Sequence, residues 1–280
     1  MSEVRPSPIA GMWYPGESRQ LKKEIDHYLE EAEYRSLPGK VAGLMVPHAG
    51  YRYSGKTAAY AYQYLVGQPF RTVYILSPLH DYHPAEFLTP DHSAYETPLG
   101  LVPINTERIQ AINRSLANIG DVRIQPIRHD REHSLEIQLP FLQTALGNHF
   151  QLVPIMVRSR IPEICRQMSE IIAAQLMDSP DSLIIASTDL SHFYTESAAH
   201  KFDSVILDAV RNMQPEAIFT AEEQGKGFAC GAGALATVLW VCQKLGGMQS
   251  EVVYYTTSAE TTHDTQSVVG YGAAVFHHTA

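Results

Sequence analysis

The sequence predicts a single α/β domain in which helices flank a central, mostly parallel sheet. Short apolar runs rich in β-branched residues alternate along the chain with longer segments of helical period. Such an alternation is typical of a parallel sheet that is covered on both faces. No repeat, low-complexity tract or long linker divides the 280 residues. We therefore expect one domain over residues 1–280.

The individual elements follow from this alternation in chain order. A helix over 19–34 is predicted behind Ser18, whose hydroxyl can cap it, and a second helix runs from Ser54 to about residue 66. The segment 134–146 has a helical apolar face, with a kink expected at Pro140. The other predicted helices are 106–116, 161–177, 202–213 and 232–245. The predicted strands are 41–46, 72–77, 152–157 and 183–187, closed by 251–256 and 268–276.

Composition and charge exclude several classes of protein. Hydrophobic residues make up 45% of the chain and charged residues 18%, which excludes wholesale disorder. A net charge of −9 makes the chain a poor ligand for nucleic acid. The first residues do not resemble a signal peptide, and the apolar runs are shorter than the roughly 18 residues of a membrane helix. Three cysteines cannot form a disulfide framework, so we expect a cytoplasmic protein. From the net charge and the short apolar runs we expect neither nucleic-acid nor membrane partners.

Histidines stand just beyond the ends of three predicted buried strands. They are His48, His80 and His192. Because open α/β sheets bind ligands at the carboxyl ends of their strands, we expect these three side chains to meet in one cleft. A single histidine in such a place is more often an ordinary loop residue, and a tight turn leaving each strand is the alternative interpretation. Three in the same context favour a metal or catalytic site.

Cys230 lies among glycines at the start of the predicted helix 232–245. The amino end of a helix favours a thiolate, so Cys230 is expected to ionise readily and to serve as a metal ligand. Cys165 and Cys242 fall inside apolar helices and are expected to be inert. Tight packing of the helix against the sheet is an alternative explanation for the glycines.

Three further polar residues are candidates for catalytic roles. His133 and Glu136 are three residues apart, so they share a face if a helix has begun, and either could act as a base or hold a metal ligand in place. A solvated helix start is the alternative. Asp189, three residues before His192, could orient that histidine or a metal-bound water.

A series of motifs extends over nearly the whole chain. In order, they are AGMWYP at 10–15, PHAGY at 47–51, YSG at 53–55, SPLH at 77–80, EHSLE at 132–136, STDLSHF at 187–193 and CG at 230–231. Together they resemble the Memo family, whose bacterial and archaeal members are also called AmmeMemoRadiSam system protein B. Each motif alone is weak, but their occurrence in this order is specific.

The resemblance implies a fold like that of class III extradiol dioxygenases, which hold Fe(II) with two histidines and a carboxylate. By motif, His48 and His80 correspond to the two ligand histidines, Cys230 stands in place of the carboxylate, and His192 corresponds to the acid/base histidine. A thiolate makes the site softer, so it suits Cu(I) or Zn and can still hold Fe(II). We expect one mononuclear metal ion, with Fe(II) as the first candidate and Cu or Zn as alternatives.

Three functions are compatible with these residues. The first is a dioxygenase-like redox enzyme in which His192 moves protons beside the metal. The second is zinc-assisted hydrolysis with His192 or Glu136 as the base. The third is a non-enzymatic protein that binds a metal or a peptide, since animal members of the family are linked to receptor tyrosine kinase signalling and metal handling. The resemblance also implies radical-SAM and AMMECR-type partner proteins.

Overall fold

Four parallel strands form the centre of the sheet. The computed structural model describes residues 3–279. The central strands are β1 (Val41–Val46), β2 (Thr72–Ser77), β7 (Gln151–Val157) and β8 (Ser182–Ser187). They lie side by side in the order β1-β8-β2-β7, with parallel pairing throughout. These are the four predicted buried strands, and almost every residue in them is buried.

Antiparallel strands extend the sheet on both sides of this centre, so the sheet is mixed. The remaining strands are β3 (Phe87–Pro90), β4 (Ala94–Thr97), β5 (Gly100–Pro103), β6 (Ile124–Ile127), β9 (His192–Tyr194), β10 (Met248–Thr257) and β11 (Val268–His278). β11 pairs with β1, β10 and β9, all antiparallel. On the other side, β3 is antiparallel to β7 and parallel to β6, while β4 and β5 form a separate hairpin.

Helices cover both faces of the sheet. They are α1 (Ser18–Glu31), α2 (Tyr51–Tyr62), α3 (Thr106–Ile119), α4 (Leu139–Leu146), α5 (Pro162–Met177), α6 (Glu196–Arg211), α7 (Pro215–Glu223), α8 (Ala232–Leu245) and the short α9 (Ala259–Thr262). One layer contains α1, α2 and α4, and the other contains α3, α5, α6, α7 and α8. The α/β prediction is therefore confirmed. Among the described residues 3–279, the helices are too short or too polar to cross a membrane.

Several helix starts differ from the sequence prediction. Glu17, rather than Ser18, caps α1, because its carboxylate accepts the backbone N–H groups of Arg19 and Gln20. α2 begins at Tyr51, three residues before the predicted Ser54. The kink predicted at Pro140 was wrong. Residues Glu136–Gln138 form a 3-10 turn, and α4 begins after it with this proline in its first turn, where a missing N–H costs nothing.

The sequence prediction also missed β3, β4, β5, β6 and β9, and the helix α7. Each of these strands has only three or four residues, too few to show a clear period. Pro90, Pro103 and Pro126 lie within them, and proline lowers the expectation of a strand.

Candidate metal centre

Three histidines from distant parts of the chain meet at the carboxyl ends of β1 and β2. His48 follows β1, His80 follows β2, and His133 lies just before the 3-10 turn. One ring nitrogen from each lies within 4.8 Å of those of the other two. The His48 ring is nearly perpendicular to the other two, at 84° and 81°, whereas the His80 and His133 rings are nearly parallel, at 16°. This histidine cluster is a group that could hold a metal ion.

His48 is held in one tautomer by the hydroxyl of Ser187. Ser187 donates its single proton to the Ser134 carbonyl at 2.6 Å and accepts the amide N–H of Gln138 at 2.9 Å. The Gln138 amide nitrogen also donates to the Pro47 carbonyl at 2.9 Å, which fixes the orientation of this amide. The contact of 3.1 Å between His48 Nδ1 and Ser187 Oγ must therefore be donated by the ring. The lone pair is left on Nε2, which lies 3.1 Å from Cys230 Sγ.

Burial keeps the His48 ring uncharged. The residue is 1% exposed. Burial, together with the neighbouring His80 ring, lowers the pKa of His48 to about 3. The neutral ring offers its Nε2 lone pair at physiological pH, which a metal ligand must do.

Glu132 holds the ring of His80. One carboxylate oxygen lies 3.0 Å from His80 Nδ1, and the other accepts the His80 backbone N–H at 2.6 Å. Because a carboxylate only accepts, Nδ1 carries a proton, and Nε2 is the nitrogen that can bind an ion when the ring is neutral. Burial opposes charge on the ring, but the hydrogen bond to Glu132 outweighs it, and the pKa of His80 is raised. A carboxylate in this position orients a metal-binding histidine and makes it a stronger ligand.

His133 lies between an indole ring and the His80 ring. Its centroid is 4.1 Å from that of Trp13 and 4.8 Å from that of His80. Burial and the nearby His48 ring lower the pKa of His133 to about 4. Its Nδ1 is 3.4 Å from a Glu132 oxygen, a looser contact than that of His80. His133 is therefore a neutral imidazole whose position depends mainly on ring contacts.

Cys230 contacts His48 but lies outside the histidine cluster. Its Sγ is 3.1 Å from His48 Nε2 and accepts the backbone N–H of Asp189 at 3.2 Å. The following glycine allows this approach, because a Cβ at Gly231 would lie 2.6 Å from the Ser187 carbonyl oxygen. Gly231 thus packs tightly against β8, and Cys230 also lies beside the histidine cluster. The expectation of a ready thiolate is corrected for the metal-free chain, since burial and the Asp189 carboxylate raise the pKa of the thiol.

The two carboxylates proposed from the sequence have other contacts. Asp189 accepts the backbone N–H of His48 at 2.7 Å, and burial raises its pKa. Glu136 is fully buried and accepts from Arg5 at 2.6 Å and from Tyr14 at 2.9 Å. The helix that was expected to place Glu136 and His133 on one face does not include His133. Glu136 is therefore engaged with the N-terminal residues of the chain.

His192 lines a cleft beside the cluster. It lies in β9 and is partly exposed. The cleft has a volume of about 310 Å³ and is lined by Cys230, His192, Arg160, Leu190, Tyr194, Glu222, Phe228 and Ala229. The next residue, Phe193, has a positive φ of 64°, which a bulky side chain rarely adopts, and its side chain is exposed. The cleft thus reaches Cys230 from solvent and brings His192 to the same opening.

Comparisons with known proteins identify the family. A family model described as "Memo-like protein" matches residues 5–275. This chain belongs to the Memo family. The resemblance inferred from the motifs is thereby confirmed. A MEMO1 family protein of Nitrosopumilus maritimus is 34% identical over 280 residues, covering 98% of this chain and 99% of the relative. One from Methanosarcina acetivorans is 31% identical over 275 residues, covering 98% and 99%.

A solved structure shares the fold. The uncharacterized protein JW3007 from Escherichia coli K12 superposes with a TM-score of 0.50 at 12% identity, over 83% of this Memo-family chain and 99% of that chain. At this identity the likeness concerns the fold alone.

Several residues that hold the histidine cluster in place could not be recognised from their sequence positions. Glu132 binds the ring of His80, and Ser187 binds the ring of His48. Gln138 in turn donates to the Ser187 hydroxyl. Glu132 and Ser187 do lie within two of the family motifs, and that was the available signal. The roles assigned to Cys230 and His192 stay predictions.

Proposed function

We propose that this Memo-family chain holds one transition-metal ion between His48 and His80, with Cys230 as the third ligand, and uses it in a redox reaction on a small molecule. Fe(II) is the first candidate, and Cu or Zn are the alternatives. The observation that carries the proposal is the orientation of the two rings. Each is held at Nδ1, by Ser187 or by Glu132, so that both Nε2 lone pairs are free for an ion.

The position of Cys230 beside His48 supports it as the third ligand. Its Sγ lies 3.1 Å from His48 Nε2, the nitrogen that the contact with Ser187 leaves without a proton. His133 is the alternative third ligand, because one of its ring nitrogens lies within 4.8 Å of those of His48 and His80. Nitrogen and sulfur donors of this kind suit Fe, Cu and Zn rather than Mg or Ca.

The cleft and the uncoordinated histidines supply the remaining parts of an active site. The cleft of about 310 Å³ reaches Cys230 and admits a small molecule. His192 lines it and can take or give a proton at a bound substrate. His133, uncharged because burial lowers its pKa to about 4, is a further neutral imidazole beside His48 and His80. A bound metal would supply redox capacity and polarise the substrate.

Two alternatives remain and are separated by metal chemistry. The three histidines of the cluster, with Cys230 in contact with one of them, could instead close around an ion as a set of four donors, which favours metal storage over catalysis. Zinc-assisted hydrolysis would have to use His192 as its base, since Glu136 is bound by Arg5. On the family resemblance alone we also propose radical-SAM and AMMECR-type partners, which co-purification of the tagged chain from its own host would test.

The test is anaerobic purification with metal analysis of the wild type and of His48→Ala, His80→Ala and His27→Ala. The last is a matched control, because His27 is exposed on α1. We expect one ion per wild-type and control chain, and little in the other two variants. Substrate-dependent oxygen consumption by the iron-loaded chain then separates a redox enzyme from a metal store. Equal metal content in all four proteins would refute the proposed site.

A further inference from the structure

The N-terminal residues bind the loop that carries His133. We call residues 5–14 the N-terminal strap and residues 129–136 the His133 loop. Arg5 is 2% exposed although it carries a charge. Its guanidinium contacts Asp130 Oδ1 and Glu136 Oε2, each at 2.6 Å, and donates to the Glu132 carbonyl at 2.9 Å. One side chain thus holds the loop at three points.

The middle one of these three points belongs to the residue that holds His80. While the Glu132 carbonyl binds Arg5, its carboxylate binds the His80 ring and the His133 backbone N–H. A shift of the loop would move both the carboxylate on His80 and the ring of His133. Arg5 therefore contacts Glu132, and Glu132 contacts both His80 and His133.

The other end of the strap contacts the elements around His48. The Trp13 ring packs on His133 with centroids 4.1 Å apart, and the Trp13 carbonyl accepts the Tyr51 N–H at 2.8 Å. A Cβ at Gly50 would lie 3.3 Å from the same carbonyl oxygen, so the strap and this turn are in close contact. The strap connects the turn that follows His48 with the His133 loop.

We propose that Arg5 is a positioning residue of the metal site: through the Glu132 carbonyl and Asp130 it fixes the carboxylate that orients His80. The inference rests on the proposed function, since it concerns the same ligands. A planar guanidinium can serve two carboxylates and a carbonyl at once, which a lysine ammonium does with poorer geometry. The metal affinity of Arg5→Lys is therefore expected to lie between that of the wild type and that of Arg5→Gln.

The chain provides its own reporter for a test. Its two tryptophans are Trp13 and Trp240, and Trp240 lies in α8. In a Trp240→Phe background, emission comes from Trp13 beside His133, and a paramagnetic ion in the cluster should quench it. Co(II) is the probe, because it is stable in air and takes the same donors. Its affinity is measured by quenching against a competing chelator.

We expect Arg5→Gln to weaken Co(II) binding by about 10-fold to 100-fold, as for other groups that hold a metal ligand in place. Arg131→Gln is the matched control, since Arg131 is an exposed arginine in the same loop, and it should bind like the wild type. Leu116→Ala, at a buried position of α3, controls for stability. It should lower the melting temperature without changing the affinity.

Two outcomes would overturn the inference. One is wild-type affinity in both Arg5 variants. The other is an equal loss in Leu116→Ala, which would mean that any destabilisation has this effect. If Arg5→Gln does not fold, Arg5→Lys decides alone. If the wild type binds no Co(II), the proposed function fails instead. Positioning is then judged by the NMR signals of the His80 ring in the metal-free chain, which move in the Arg5 variants only if Arg5 holds Glu132.

Discussion

Replacing Glu132 by glutamine tests whether the hydrogen bonds around His80 prepare it to bind metal. One carboxylate oxygen accepts from His80 Nδ1 at 3.0 Å, from the His133 N–H at 2.9 Å and from the Ser134 N–H at 2.8 Å. The other accepts the His80 N–H at 2.6 Å. An amide has one accepting oxygen, so its NH2 group must face at least one of these donors.

The size of the effect follows from this geometry. A buried donor left unpaired costs about 1–3 kcal/mol of unfolding free energy. That corresponds to roughly 2–4 °C of melting temperature per kcal/mol in a chain near this size. Loss of a carboxylate behind a ligand histidine weakens metal binding by about 10-fold to 100-fold, or about 1.4–2.7 kcal/mol. The pKa of His80, which Glu132 raises against burial, should fall.

The assay is a chelator competition for Fe(II) under anaerobic conditions, together with thermal unfolding of the metal-free chain. Glu170→Gln is the control, because Glu170 is exposed on α5, and it should change neither quantity. If Glu132→Gln binds Fe(II) like the wild type while His80→Ala does not, the hydrogen bond to the ring has no part in metal binding. If both variants keep their affinity, His80 is not a ligand.

Three further expectations concern other residues of the site. Cys230→Ser should lose most of the bound metal and His133→Ala little, as measured by metal analysis of the purified variants, and the reverse result would make His133 the third ligand. Ser187→Ala should weaken metal binding about 10-fold, since it removes the hydroxyl that accepts the Nδ1 proton of His48. Alkylation of the metal-free chain at neutral pH should be slow, because burial raises the pKa of all three thiols, and should reach Cys230 first, because Cys230 lines the cleft whereas Cys165 and Cys242 are buried. Mass spectrometry showing either of these two modified earlier would contradict this.

The centre of the fold could be predicted because its signal is local. β1 and β2 have the predicted bounds, since apolar runs with β-branched residues are distinctive of buried strands. Strands β3 to β6 could not be predicted in this way. They are four residues long, and β3 and β6 pair with strands distant in the chain. The mixed character of the sheet follows from the antiparallel pairing of β3, β9, β10 and β11.

The histidines could be proposed in the same way, since His48 and His80 follow strands that the sequence reveals. Their hydrogen-bond partners could not. Ser187 is 139 positions from His48, and Glu132 is 52 positions from His80. Arg5 reaches Glu136 across 131 positions. Contacts at such separations leave no periodic pattern, and only the occurrence of several motifs in one order indicated that these segments belong together.

Charge balance leads to a last prediction, on the identity of the ion. Burial lowers the pKa of His48 to about 3 and that of His133 to about 4, so both rings are uncharged donors. On binding an ion, Cys230 must lose its proton, and its thiolate then adds a negative charge to those of the Glu132 and Asp189 carboxylates beside it. A divalent ion offsets more of this buried negative charge than Cu(I) does, and uncompensated buried charge is costly. We expect chains loaded anaerobically with equal Fe(II), Zn(II) and Cu(I) to retain a divalent ion after dialysis. Retention of Cu(I) would mean that the softness of the thiolate outweighs the balance of charge.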